Sequence, residues 1–205
     1  ETLSTTTTGH ANVAIGYQSL KNNTDGDFNT GVGYDTLLAN TTGDSNSAFG
    51  QEVLKENTTG SGNVGLGYYA LYNNTTGSNN IAIGRAAMQR NKVGINNIVI
   101  GYNSGDSVGQ YNGTANYNIV IGNEANTSST SVTNEIVIGK SAVGHGSNIA
   151  VIGNGDITAW HPGDDNGVDL GSASYSFKDA HIQGVIYAST LNNGASFTLP
   201  TADGT

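Results

Sequence analysis

A 17-residue period runs through most of this 205-residue chain and restricts the fold more than any other feature. Asn recurs at Asn12, Asn29, Asn46, Asn63, Asn80 and Asn97, and Gly at Gly16, Gly33, Gly50, Gly67, Gly84 and Gly101. Further columns hold Gly9 to Gly94, then Leu20, Leu37, Leu54, Leu71 and Met88, then Asn23, Asn40, Asn57, Asn74 and Asn91. The unit reads G-x-x-N-x-A-x-G-Y-x-x-L-x-x-N-T-T. The spacing then loosens, with Gly122, Gly139 and Gly153 following at intervals of 21, 17 and 14. The long interval contains a Gly/Asn-rich insertion, Asp106–Thr114, expected to bulge from one coil, and the short one a coil with a trimmed turn. Upstream, Leu3 precedes Leu20 by 17, and Thr7-Thr8-Gly9 matches Thr24-Asp25-Gly26. Residue 1 therefore falls inside a coil, and the chain is expected to be a piece of a longer one.

Each unit carries a strand signal such as Asn80-Ile81-Ala82-Ile83-Gly84. Alternation sends Ile83 to one face and Ala82 to the other. The column at 15, 32, 49, 66, 83, 100, 121, 138 and 152 is always large and apolar, whereas 14, 31, 48, 65 and 82 hold only Ala or Gly. The apolar spacing and the frequent glycines exclude a helix. The expected fold is all-β: a parallel β-solenoid, or β-roll, of 17-residue coils over residues 1–153, followed by a small β-rich segment over 154–205. At about 4.8 Å per coil, nine coils make a rod roughly 43 Å long. Glycines are expected at corners that need positive φ or close backbone approach. Stacked Asn side chains are expected to form amide ladders along the axis, and the Ile15 and Leu20 columns continuous apolar ribs over a thin core. A rod this narrow gains stability by associating through such a rib.

Composition narrows the function. With 36% apolar and only 11% charged residues, the chain is folded rather than disordered. Its formal charge of −9, with no basic cluster beyond Arg85, Arg90 and Lys92, argues against nucleic acid. There is no cysteine and no apolar run of membrane-spanning length.

Units such as Gly60-Ser61-Gly62-Asn63-Val64-Gly65-Leu66-Gly67 resemble the N-x-A-x-G repeats of trimeric autotransporter adhesin heads, which are left-handed β-rolls in homotrimers. The longer unit, with its Leu and its Asn-Thr-Thr-Gly turn, looks more like repeats of bacteriophage tail fibres. Past Gly153 the character changes. Asp169 to Tyr187 closely resembles the D-L-G-S…F-K-D…G-x-I-Y segment of phage tail fibres and spikes, near the C-terminal end of those fibres. The resemblance implies a homotrimer on the virion, partnered by other tail proteins and by a bacterial surface receptor, a glycan or protein. A bacterial adhesin head is the alternative, and a fibre-borne polysaccharide depolymerase the third reading.

No catalytic, metal or cofactor constellation is legible. His10, His145, His161 and His181 share no spacing, and Asp164, Asp165 and Asp169 sit in a Gly-rich junction that reads as a turn. Gly60 to Gly67 lacks the following helix and Lys of a nucleotide loop. Asp25, Asp27 and Asp44 do not recur as a calcium roll requires. The Thr column at 24, 41, 58 and 75 lies in a turn, unlike an ice-binding face. Tyr17, Tyr34, Tyr68 and Tyr102 form a partial aromatic column, read as a packing rib before a glycan platform. The least generic surfaces are the insertion, with Tyr111 and Asn112, and the junction at Trp160 and His161.

Overall fold

The computed structural model describes residue 3 and residues 8–108 and 113–158. They contain nine three-residue strands: β1 (Val13–Ile15), β2 (Thr30–Val32), β3 (Ser47–Phe49), β4 (Val64–Leu66), β5 (Ile81–Ile83), β6 (Ile98–Ile100), β7 (Ile119–Ile121), β8 (Ile136–Ile138) and β9 (Ala150–Ile152). They form one sheet in sequence order, each strand parallel to the next. The described chain is a β-solenoid. Val13 pairs with Thr30, Ile98 with Ile119 and Ile136 with Ala150, so paired residues are separated by the periods legible in the sequence. The insertion leaves the sheet intact.

Two apolar columns were expected, and the structure gives them opposite fates. The Leu20, Leu37, Leu54, Leu71 and Met88 side chains are 0% exposed and fill the coil interior. The middle residue of each strand also points inward, and Ala48, Ala82, Val99, Val120 and Val137 are fully buried. The large residues beside it face out: Ile15 is 58% and Leu66 48% exposed.

The interior volume is held constant by exchange. Gly31 has no room for a Cβ, because Ser19 Oγ would lie 2.5 Å and Thr36 Oγ1 3.3 Å away. Gly65 is similarly closed in by the Val53 side chain. The leucine rib ends at Met88, since Gly105 occupies the next position of that column. There Val99 replaces the Ala or Gly of earlier coils, and Val108 from the start of the insertion is fully buried beside Gly105. Interiors packed at crystal density require such compensation.

Corners are made by left-handed residues spaced two apart. After β1 these are Gly16 (φ 116°), Gln18 (φ 53°) and Leu20 (φ 51°), and the pattern repeats. A leucine at positive φ costs roughly 1–2 kcal/mol. Burying its side chain contributes about 1.5–3 kcal/mol, which offsets the strain.

Candidate functional surface

The repeat positions singled out in the sequence are structural. Asn12, Asn29, Asn46, Asn63, Asn80 and Asn97 stack into a ladder that continues to Asn118. Asn46 Nδ2 donates to Asn29 Oδ1 at 3.0 Å, Asn63 to Asn46 at 3.1 Å and Asn118 to Asn97 at 3.0 Å. Each rung also donates to a backbone carbonyl, as Asn46 does to Gly60 O at 2.9 Å. A second ladder joins Asn23, Asn40, Asn57, Asn74 and Asn91 at 2.6–2.8 Å. The glycines at 16, 33, 50, 67, 84, 101, 122, 139 and 153 all have positive φ. Those from Gly16 to Gly122 also stack so closely that a Cβ would strike the backbone of the next coil.

Three features escaped the sequence reading. A third ladder has the opposite polarity: Asp27 N–H donates to Asp44 Oδ1 at 2.8 Å, Asp44 N–H to Ser61 Oγ at 3.0 Å and Ser61 N–H to Ser78 Oγ at 3.0 Å. The residue type changes from rung to rung, so no identity repeat marks it. Glu135 takes the Asn position after Asn118 and is fully buried. It keeps the rung by donating its N–H to Asn118 Oδ1 at 2.9 Å, while its carboxylate accepts from Ser128 N–H at 3.0 Å and Gly146 N–H at 2.7 Å. The 17-residue step from Asn118 was the available signal.

The third is an ion cluster on one corner. Lys55 Nζ lies 2.9 Å from Glu52 Oε2 and 3.1 Å from Asp35 Oδ2, with both carboxylates nearly buried. Burial alone raises the Glu52 pKa, but hydrogen bonds from Lys55 and Gln51 prevail and hold it below its ordinary 4.5. The hydrogen bond to Glu52 outweighs burial at Lys55 and holds that ammonium above its ordinary 10.5.

The aromatic column is a stack. Tyr17 and Tyr34 lie 5.1 Å apart at 16°. Arg85 sits 5.7 Å from the Tyr68 ring and 5.3 Å from Tyr102, donating to the Tyr102 hydroxyl at 3.0 Å. The inner ring faces are already occupied by neighbours, which suits packing better than stacking against a sugar.

Tyr111, Asn112, Trp160 and His161, together with the segment from Asp169 to Tyr187, lie outside the described residues. Among the described residues no group of three His, Cys, Asp or Glu could hold a metal ion, and no helix is long and apolar enough to cross a membrane. A hollow beside Val143, His145, Val151 and Asn154 contains one ionisable side chain, His145. It lacks the paired groups that acid–base chemistry needs.

The most distinctive surface is the outside of the sheet. The first and third residues of the nine strands give eighteen outward positions, of which only Thr30 and Ser47 are polar and none is charged. No family model, curated protein or solved structure matches the chain.

Proposed function

We propose that this chain is a structural and host-attachment part of a homotrimeric bacteriophage tail fibre. The observation that carries the reading is the pairing of 17-residue coils with the Asp169–Tyr187 segment in one sequence. The geometry of the coils supports a mechanical role. Side-chain ladders run from coil to coil, and the glycine corners from Gly16 to Gly122 are fixed by stacked backbone. Such a rod transmits position, and several copies together multiply weak contacts with a cell surface. Attachment would fall to exposed polar turns and to the insertion, with a bacterial glycan or protein as receptor.

The gene neighbourhood tests the reading. Tail and baseplate genes around the coding sequence are the expected result. A membrane anchor in the same reading frame, within a bacterial surface locus, would overturn it in favour of the adhesin head that the N-x-A-x-G coils also resemble. Depolymerase activity is tested separately by incubating the chain with capsular polysaccharide, where unshortened glycan is expected.

A further inference from the structure

We propose that Arg85 is a recognition site for one anionic group, a carboxylate or phosphate, carried on the glycan to which the chain attaches. For the source of the glycan this rests on the attachment role proposed above, while the site itself stands on the geometry of one corner. Arg85 follows the corner glycine Gly84, at the position that Tyr68 and Tyr102 hold in the coils on either side. Its guanidinium sits 5.7 Å and 5.3 Å from those two ring centres and donates through Nη1 to the Tyr102 hydroxyl at 3.0 Å. Carboxylates are plentiful, with 16 acidic side chains against 7 basic ones, and both Lys55 and Arg90 pair with them. Among the described residues none pairs with Arg85, which is exposed.

The place where a carboxylate would stand is left open by a single residue. The position after each corner side chain forms its own column: Glu52 N–H donates to Tyr34 O, Ala86 N–H to Tyr68 O and Glu124 N–H to Tyr102 O. Side chains in the two columns reach one another, since Gln51 Nε2 donates to Glu52 Oε1 at 3.1 Å and the Tyr68 and Tyr69 rings stack at 3.9 Å. The second column is acidic at Asp35, Glu52 and Glu124, but beside Arg85 it holds Ala86, with Tyr69 and Asn103 on the adjacent coils. A guanidinium held by two rings keeps its planar fork for a carboxylate or phosphate and loses little freedom on binding one. The Tyr102 hydroxyl accepts from Arg85 and retains its own proton for the same ligand. The inner ring faces are taken up by the guanidinium, so the anion is what the corner reads, not the face of a sugar. A net charge of −9 opposes a densely charged polymer, which favours a glycan with spaced acidic groups over a nucleic acid.

One exposed ion pair is weak, so binding is read on polymers, where repeated groups multiply it. The full chain is passed at about 0.15 M salt over immobilised hyaluronan, whose carboxylates lie on alternate sugars, over phosphomannan and over neutral dextran. Retention on an acidic polymer and none on dextran is expected. Arg85→Gln is expected to weaken retention roughly tenfold or more, and Lys92→Gln, which removes the same charge elsewhere, to leave it unchanged. Ala86→Glu keeps Arg85 and supplies the missing carboxylate at φ 56°, close to the 57° of Glu52 and Glu124. It is expected to abolish retention with the thermal midpoint unchanged, so the test survives even if Arg85→Gln unsettles the rings. Stronger retention on hyaluronan assigns the anion to a carboxylate, and stronger retention on phosphomannan assigns it to a phosphate ester. Retention on neither, equal retention on dextran or an equal loss in Lys92→Gln overturns the proposal. So does a change of solution mass in Arg85→Gln, which would place the guanidinium in a contact between copies. A chain encoded among tail genes that ignores both acidic polymers loses this site and keeps the fibre reading. A chain from a bacterial surface locus that binds through Arg85 loses the fibre reading and keeps the site.

Discussion

Asn63 directs two donors at one oxygen of Asn46: its backbone N–H at 3.0 Å and its Nδ2 at 3.1 Å, with both residues fully buried. The same double contact recurs one coil later, where Asn80 N–H and Nδ2 reach Asn63 Oδ1 at 3.0 and 3.2 Å. A single side chain thus serves three coils, because Asn63 Nδ2 also donates to Gly77 O at 2.8 Å.

Asn63→Ala is therefore expected to cost about 3 kcal/mol or more, since buried donors on Asn80 and the Gly77 carbonyl lose their partner at about 1–3 kcal/mol each. Asn63→Asp still accepts from Asn80 but cannot donate to Asn46, so it also destabilises the chain at neutral pH. Urea denaturation checks both, with exposed Thr59→Ala expected to stay within about 0.5 kcal/mol.

Gly50 and Gly62 separate steric need from conformational freedom. Gly50 has φ 131°, and a Cβ there would lie 2.8 Å from Gly67 O. Gly50→Ala is expected to lower the thermal midpoint by several degrees. Gly62 has φ 69°, in a column where Asn79, Asn96 and Asn134 hold φ of 55–58°. The nearest obstacle to its Cβ is the flexible end of Asn79. Gly62→Asn is expected to be close to neutral. Equal losses at the two sites would contradict this account of the corners.

The Glu52–Lys55–Asp35 cluster sets a pH dependence. The Glu52 carboxyl is held below 4.5 in the fold, so its stabilisation is present above that pH and is lost as pH falls through the lowered value. Lys55 is held above 10.5, so its contribution persists below 10.5 and is lost only in stronger alkali. Between about pH 5 and 10 the cluster adds no slope. Glu52→Gln is expected to flatten part of the acid limb of midpoint against pH, and an unchanged acid limb would contradict it.

Much of this architecture was legible because identity repeats where geometry is strict. Asn carries an amide donor and acceptor at the short reach that the ladder needs, and only Gly fits where backbones stack, so both columns stand out by residue type. The orientation of Ile15 and Leu20 was not legible. Alternation places neighbouring residues on opposite faces without saying which face is inside. The answer lay in volume: Gly31 and Gly65 are small because the Ser19 and Val53 side chains fill the space a Cβ would need. The Asp27–Asp44–Ser61–Ser78 ladder was hidden for the opposite reason, since any side-chain oxygen at the right reach serves. Glu135 was hidden because a carboxylate replaces an amide just where the coil shortens from 17 residues to 14.

The central claim is that residues 17 apart lie on adjacent coils with side chains in one direction. It is tested most directly by paired cysteines on the exposed turn. Thr59 and Thr76 are both exposed and one period apart, and adjacent coils rise about 4.8 Å, inside the Cα separation a disulfide spans. Oxidation of the Thr59→Cys, Thr76→Cys variant is expected to give an intramolecular disulfide, seen as a faster-migrating single chain on a non-reducing denaturing gel. The Thr42→Cys, Thr76→Cys variant, two coils and about 9.6 Å apart, is expected to give none. Equal closure of both pairs, or closure of the wider one alone, would contradict the solenoid.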